Sequence, residues 1–99
     1  MKNKLQLDHL HELSNVLLYL SDSINANVVL YTTLHAMVAR QLKIKVDRKL
    51  AAGVMPKNGF IIKLTPVEFS FIVDVNKWQL LNKNVIFRNA ITRLISLNN

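Results

Sequence analysis

Lys43-Ile44-Lys45-Val46-Asp47-Arg48 alternates polar and apolar side chains without a break, the period of two that marks a strand with one buried face. Apolar residues before it recur at helical spacing, so the period moves here from 3.6 to 2. Read as a strand, it leads to Pro56-Lys57-Asn58-Gly59, a turn in which Pro sets φ at its second position and Asn-Gly tolerates positive φ. Phe60, Ile62 and Leu64 alternate again and run back antiparallel. Residues 43–64 are therefore predicted to form a basic β-hairpin or strand pair.

Toward the N-terminus, Leu10, Leu13, Leu17, Leu20 and Ile24 are spaced for one face of a helix that begins near Leu7. Ser21-Asp22-Ser23 interrupts it, and Ser23 or Asn25 supplies a cap for a second helix over about 24–42. The stripe of that helix is Ile24, Val28, Tyr31, Leu34, Val38 and Leu42, with β-branched Val28-Val29 and Thr32-Thr33 lowering its intrinsic helicity. Toward the C-terminus, Thr65 caps a third helix, Pro66 takes its first position, and Glu68 completes a capping box. Phe69, Ile72, Val73 and Leu80, broadened by Phe71 and Val75, carry that helix to about Gln79. Asn82-Lys83-Asn84 breaks the pattern, Asn84 caps, and Ile86, Phe87, Ala90, Ile91, Leu94 and Ile95 form the last amphipathic helix.

The predicted class is α+β: two N-terminal helices, a central antiparallel hairpin and two C-terminal helices around one core, as a single domain over 1–99. A competing topology joins the first two helices and residues 43–64 into a helical unit with its own wing, which moves the binding surface toward Arg40 and Lys57. The pattern alone does not separate the two.

With 99 residues the chain is one small domain, and 51% hydrophobic content excludes a disordered tail. Two Gly and two Pro leave little loop. No cysteine excludes a disulfide scaffold and a thiolate metal site; it suits a reducing compartment, and a cytoplasmic location is expected. Asp8, His9, His11 and Glu12 interrupt the apolar stretch that a signal peptide would need, and the runs Val16–Leu20 and Val28–Tyr31 are far too short to span a membrane.

The net charge is +7 and is unevenly placed. Residues 1–42 balance Lys2, Lys4 and Arg40 against Asp8, Glu12 and Asp22, whereas residues 43–99 hold ten bases against Asp47, Glu68 and Asp74. The neutral half is expected to build core or oligomer contacts, and the basic half to meet an anionic surface.

Little in the chain points to catalysis. His9 and His11 are two apart and do not share a helix face, so no metal pair forms; Asp8, His11 and Glu12 do share a face, as a solvated helix start does. His35 is expected to be a half-buried helix residue with a satisfied nitrogen. Gly53 and Gly59 form no phosphate-cradling loop, and no Ser or Thr lies beside a base in a catalytic pattern. The expectation is a non-enzyme without cofactor, and Trp78 is either core or a partner anchor.

The stretch Asn58-Gly-Phe-Ile-Ile-Lys-Leu-Thr-Pro-Val-Glu-Phe69, continued through Phe87-Arg88-Asn89-Ala90-Ile91 to Ile95, resembles the ribbon-helix-helix family of DNA-binding repressors. The resemblance implies a dimer whose paired strands enter the major groove, with Ile61 and Lys63 facing DNA and Asn84 offering its N–H to a phosphate. Leu64–Phe69 and Val85–Arg88 are also similar to the opening of the winged-helix effector domain of response regulators, but the chain ends before that family's reading helix and wing.

The function expected is a small basic DNA-binding protein, a transcriptional regulator or mobile-element accessory factor acting as a homodimer. Lys43, Lys45, Arg48, Lys57, Lys63, Lys83, Asn84 and Arg88 are its candidate nucleic-acid contacts, most of them on phosphates. The alternative is an adaptor or inhibitor that binds an acidic protein through an apolar helix face with a basic rim. RNA ranks third, because only Phe60 is a strand-borne aromatic.

Overall fold

The computed structural model describes residues 4–26, 30–53 and 56–99. Five helices are present among them, α1 (Leu7–Leu20), α2 (Ser23–Ala26), α3 (Thr33–Ala51), α4 (Pro66–Lys77) and α5 (Val85–Asn98). No strand is present among the described residues; the nearest approach to one is an isolated antiparallel bridge between Leu5 and Phe60. The expected α+β class and hairpin are thereby overturned.

The reason lies in α3. Residues 43–48 continue this helix, and Lys43 reaches Asp47 one turn on at 2.5 Å. A strand would have buried Ile44 with Val46; instead Ile44 is half exposed while Ala39, Leu42 and Val46 are sealed and Leu50 packs beside them. Those spacings belong to a helix, and six alternating residues cannot reveal them. The helix also starts later than expected. Thr32 is its N-cap: its hydroxyl accepts from the His35 N–H at 3.5 Å, and its own N–H donates to His35 Nδ1 at 3.0 Å. The expected stripe is thus divided. Ile24 sits in the single turn of α2 at 83% exposure, Leu34 points outward, and Val28 lies outside the described residues. Gly53, at φ +68°, follows the C-cap of α3.

The other elements follow local chemistry. In α1 the expected leucines 10, 13, 17 and 20 are all buried. At its start the Gln6 N–H donates to His9 Nδ1 at 2.8 Å; burial and the Arg93 charge hold the His9 imidazole below its ordinary pKa against an opposing pull from Asp8. Thr65 and Glu68 form the capping box of α4 with Pro66 at its start. That helix ends in a Schellman turn: the Gln79 N–H donates to Asn76 O, the Leu80 N–H to Val75 O, and the Leu80 side chain is buried. Gln79 stands at φ +53° in the position that usually holds glycine. Asn84 caps α5 through Phe87 N–H at 3.0 Å.

Packing contacts close into a ring, with α3 against α1 and α4, and α5 against α4 and α1. One core of buried side chains fills it, including Leu13, Leu17, Leu42, Ile72, Phe87 and Leu94. α3 runs antiparallel to α4, since His35 lies against Trp78 and Lys45 against Glu68.

Residues 56–64 lie along this ring as an extended segment. Phe60 and Ile62 are buried while Ile61 and Lys63 are exposed, so the alternation read from the sequence holds. Its partners differ from the expected ones. Leu5 exchanges backbone hydrogen bonds with Phe60 at 3.0 and 2.7 Å, and Asn98 accepts from Leu64 N–H at 2.8 Å while donating to Ile62 O at 2.9 Å. One side-chain amide does the work of a neighbouring strand, which is how these backbone groups stay satisfied without a sheet. The turn at Pro56–Gly59 is closed by Gly59 N–H to Pro56 O at 3.2 Å, so Pro56 is its first residue and not its second.

Gly59 is confined twice. Its φ is +104°, and an added Cβ would lie 2.8 Å from Leu5 O. We expect Gly59→Ala to destabilise the protein by about 2–3 kcal/mol in urea denaturation, through left-handed strain and loss of the Leu5 contact. Conversely, Gln79→Gly should raise stability by about 0.5–1 kcal/mol in the same assay, because it relieves positive φ at a helix terminus.

Candidate nucleic-acid interface

Each acidic residue from Asp47 onward is engaged inside the fold. Asp47 accepts from Ser14 Oγ at 2.6 Å and from Lys43 Nζ at 2.5 Å, joining α1 to α3. Burial pushes its carboxyl up, but these two bonds and the Lys43 charge prevail and hold it below the ordinary value. Glu68 is fully buried. Its Oε1 accepts from Lys45 Nζ at 2.5 Å and Thr65 N–H at 2.9 Å, and its Oε2 accepts from Gln41 Nε2 at 3.1 Å. Here too burial raises the carboxyl's pKa, and the Lys45, Thr65 and Gln41 bonds outweigh it and lower the net value. Asp74 faces His35 Nε2 at 3.6 Å. Because His35 Nδ1 accepts from Thr32 N–H, the ring's proton sits on Nε2, toward that carboxylate.

These pairs engage two of the expected contacts inside the fold. Lys43 and Lys45 are spent on Asp47 and Glu68, and Lys45 Nζ also donates to Lys63 O at 2.9 Å. The Asn84 N–H, expected on a phosphate, donates instead to Leu81 O at 2.9 Å, and its Oδ1 accepts from Phe87 N–H to cap α5. Arg48, Lys57, Lys63, Lys83 and Arg88 are exposed. They do not form one group. Lys83 and Arg88 lie at the start of α5, where Arg88 donates to Asn82 O at 3.3 Å, and Asn98 at its other end, about 20 Å away by helical rise, holds the segment that bears Lys63.

Lys63 and Lys57 share the extended segment, and the fold adds three cations beside them. Lys49 follows Lys45, whose Nζ donates to Lys63 O, by one turn of α3. Lys4 borders Gly59 in the Lys57 turn, and Arg93 Nη1 donates to Lys4 O at 2.8 Å. The candidate strip is Lys4, Lys57, Arg93, Lys63 and Lys49, linked through these contacts. Lys4 and Arg93 carry no local signal, since they meet across 89 residues of chain. Lys49, one of the ten bases of residues 43–99, was not among the expected contacts.

Two concavities accompany the strip. Asn76, Gln79, Asn82 and Arg88 line a cavity of about 280 Å³ between the end of α4 and the start of α5. A second, of about 390 Å³, is an apolar groove between α3 and α4 with Leu34, Val38, Pro66 and Val67 in its walls and Asp74 at its rim. Trp78 packs edge-on to His35, ring centroids 5.2 Å apart, within a cluster that includes Tyr31 and Phe71. The Tyr31 hydroxyl donates to Leu20 O at 2.6 Å, and burial raises its pKa. Among the described residues no three His, Asp or Glu converge as metal ligands, and no helix is long and apolar enough to cross a membrane.

The chain matches no protein-family model, no curated protein and no solved structure.

The Lys45–Glu68 pair gives a pH-dependent test. We expect Lys45→Met to cost about 3 kcal/mol at neutral pH, near the low end for a broken buried pair because the ammonium is a third exposed. The wild-type carboxyl titrates below its ordinary 4.5, so its stabilisation is complete above that pH and is lost as pH falls through the folded value. In the variant the stranded carboxyl is expected to titrate above its ordinary value, so the penalty is relieved on acidification. Urea denaturation at neutral pH and at about pH 4 should therefore show the gap between the two proteins narrowing with acid.

Proposed function

We propose that the protein binds double-stranded DNA through its phosphates, along the strip formed by Lys49, Lys57 and Lys63 with Lys4 and Arg93. One observation carries this reading: Asp47 and Glu68 are paired with Lys43 and Lys45 and Asp74 lies beside His35, while Lys49, Lys57 and Lys63 are exposed and without an ion pair among the described residues. Uncompensated lysines on a shared edge act as flexible point charges, and they suit phosphate contacts that position a protein without reading bases. Stacking on single-stranded RNA is not favoured, since Phe60, the aromatic on the extended segment, is buried. The proposal draws on charge and placement and takes nothing from the ribbon-helix-helix or winged-helix resemblance.

Fluorescence anisotropy of a mixed-sequence duplex, titrated at salt from about 50 to about 200 mM, tests the reading. Affinity should fall log-linearly with salt. The variant Lys49→Ala/Lys57→Ala/Lys63→Ala should show a slope shallower by about 0.9 for each phosphate contact removed. Lys77→Ala/Lys83→Ala/Arg88→Ala removes the same charge away from the strip and should leave the slope nearly unchanged. Absence of binding at low salt, or equal loss in both variants, would reject the strip as the interface and turn the search to an acidic protein.

A further inference from the structure

α3 carries two apolar stripes, and the ring uses one of them. Ala36, Ala39, Leu42 and Val46 face the core. Leu34, Met37, Gln41, Ile44 and Arg48, spaced 3, 4, 3 and 4, lie on the outward side and are all exposed, with Leu34 at 72%, Met37 at 58% and Ile44 at 50%. That spacing is the seam of a helix pair, and nothing within the ring covers it. We propose that this seam is a homodimer interface in which α3 packs antiparallel on α3 of a second copy, about a two-fold axis through Gln41.

The composition of the seam selects this occupant and this direction. Antiparallel pairing about Gln41 sets Met37 against Ile44 of the second copy, apolar on apolar. Gln41 meets its own equivalent; one N–H of its amide donates to Glu68 Oε2 at 3.1 Å, which leaves its carbonyl oxygen and second N–H as acceptor and donor across the dyad. A single polar residue in an apolar seam is also a register device. Parallel pairing would stack Arg48 on Arg48; antiparallel pairing brings each Arg48 to the Leu34 end of the partner helix, where Asp74 rims the groove. Charge therefore opposes one direction and favours the other.

The available area suits a weak dimer. The seam from Leu34 to Arg48 spans about 21 Å, and the adjoining α4 groove with Pro66 and Val67 widens the face to two helices, about 20 Å. The footprint is about 420 Å² per copy, or about 840 Å² in total, the size of a transient association in the micromolar range. The surface is independent of the phosphate strip, whose Lys49, Lys57 and Lys63 lie off the seam.

Sedimentation velocity of the full chain from about 1 to about 100 μM is the direct test. The wild type should shift from monomer to dimer over this range. Met37→Glu/Ile44→Glu, placed at exposed positions, should remain monomeric with unchanged far-UV circular dichroism. Because the chain has no cysteine, single-cysteine probes report direction cleanly. An equimolar mixture of Met37→Cys and Ile44→Cys chains should cross-link into the mixed pair under mild oxidation, whereas Arg48→Cys should not cross-link to itself. A wild type that stays monomeric throughout, a Met37→Glu/Ile44→Glu variant that still dimerises, or self-cross-linking of Arg48→Cys equal to the mixed cross-linking of Met37→Cys with Ile44→Cys would overturn the proposal.

Discussion

The carboxylate of Glu68 is the point on which the fold converges. It closes the capping box of α4 through Thr65, takes Lys45 and Gln41 from α3, and brings with Lys45 a donor for the carbonyl of Lys63. Three pieces of chain, α3, α4 and the extended segment, are thus fastened at one fully buried group. Removing such a charge from water costs several kcal/mol, and that cost is offset only when both oxygens are satisfied. Here each has at least one strong donor, and among the described residues no buried side-chain polar atom lacks a hydrogen-bond partner. An apolar pair could provide equal burial, but it could not orient the first turn of a helix and a segment without a sheet at once.

The extended segment shows what this arrangement replaces. A lone stretch of extended chain would leave its backbone groups unpaired against a helical ring. Leu5 serves Phe60, Asn98 serves Ile62 and Leu64, and Lys45 serves Lys63. The helical fold tolerates residues 56–64 because side chains from α3 and α5 supply the hydrogen bonds of a missing strand. Gly59 completes the fit by letting the chain pass against residues 4–6 where a side chain would collide.

Local chemistry was legible in the sequence, and distant pairing was not. Thr65, Pro66 and Glu68 mark the start of α4 because a capping box is written within four residues; the leucines of α1 announce its buried face for the same reason. Lys43–Arg48 misleads because strand and helix patterns overlap over six residues. The deciding facts, Leu42 and Val46 one turn apart and Lys43 paired to Asp47, require the longer window of α3. At the candidate site, Lys57 and Lys63 stand out as exposed cations, whereas Lys4 and Arg93 join them only through tertiary contact. Lys43, Lys45 and the Asn84 N–H have internal partners that a charge or an amide, seen in sequence, does not mark.

Stability and surface charge are consequently linked in this protein. Engaging Asp47 and Glu68 with Lys43 and Lys45 ties α1 and α4 to α3, and it withdraws the negative charge that would otherwise sit near Lys49, Lys57 and Lys63. α3 holds the middle of this arrangement. One of its faces builds the core, both flanks carry the ion pairs, and its outward stripe is left apolar around a single glutamine. A helix with a strong stripe on only one side would not need that outward seam, and its solvent face would carry charge instead. The leucine, methionine and isoleucine stand there against that expectation; were they to receive a second copy as proposed, the pair would present two candidate phosphate edges without burying either.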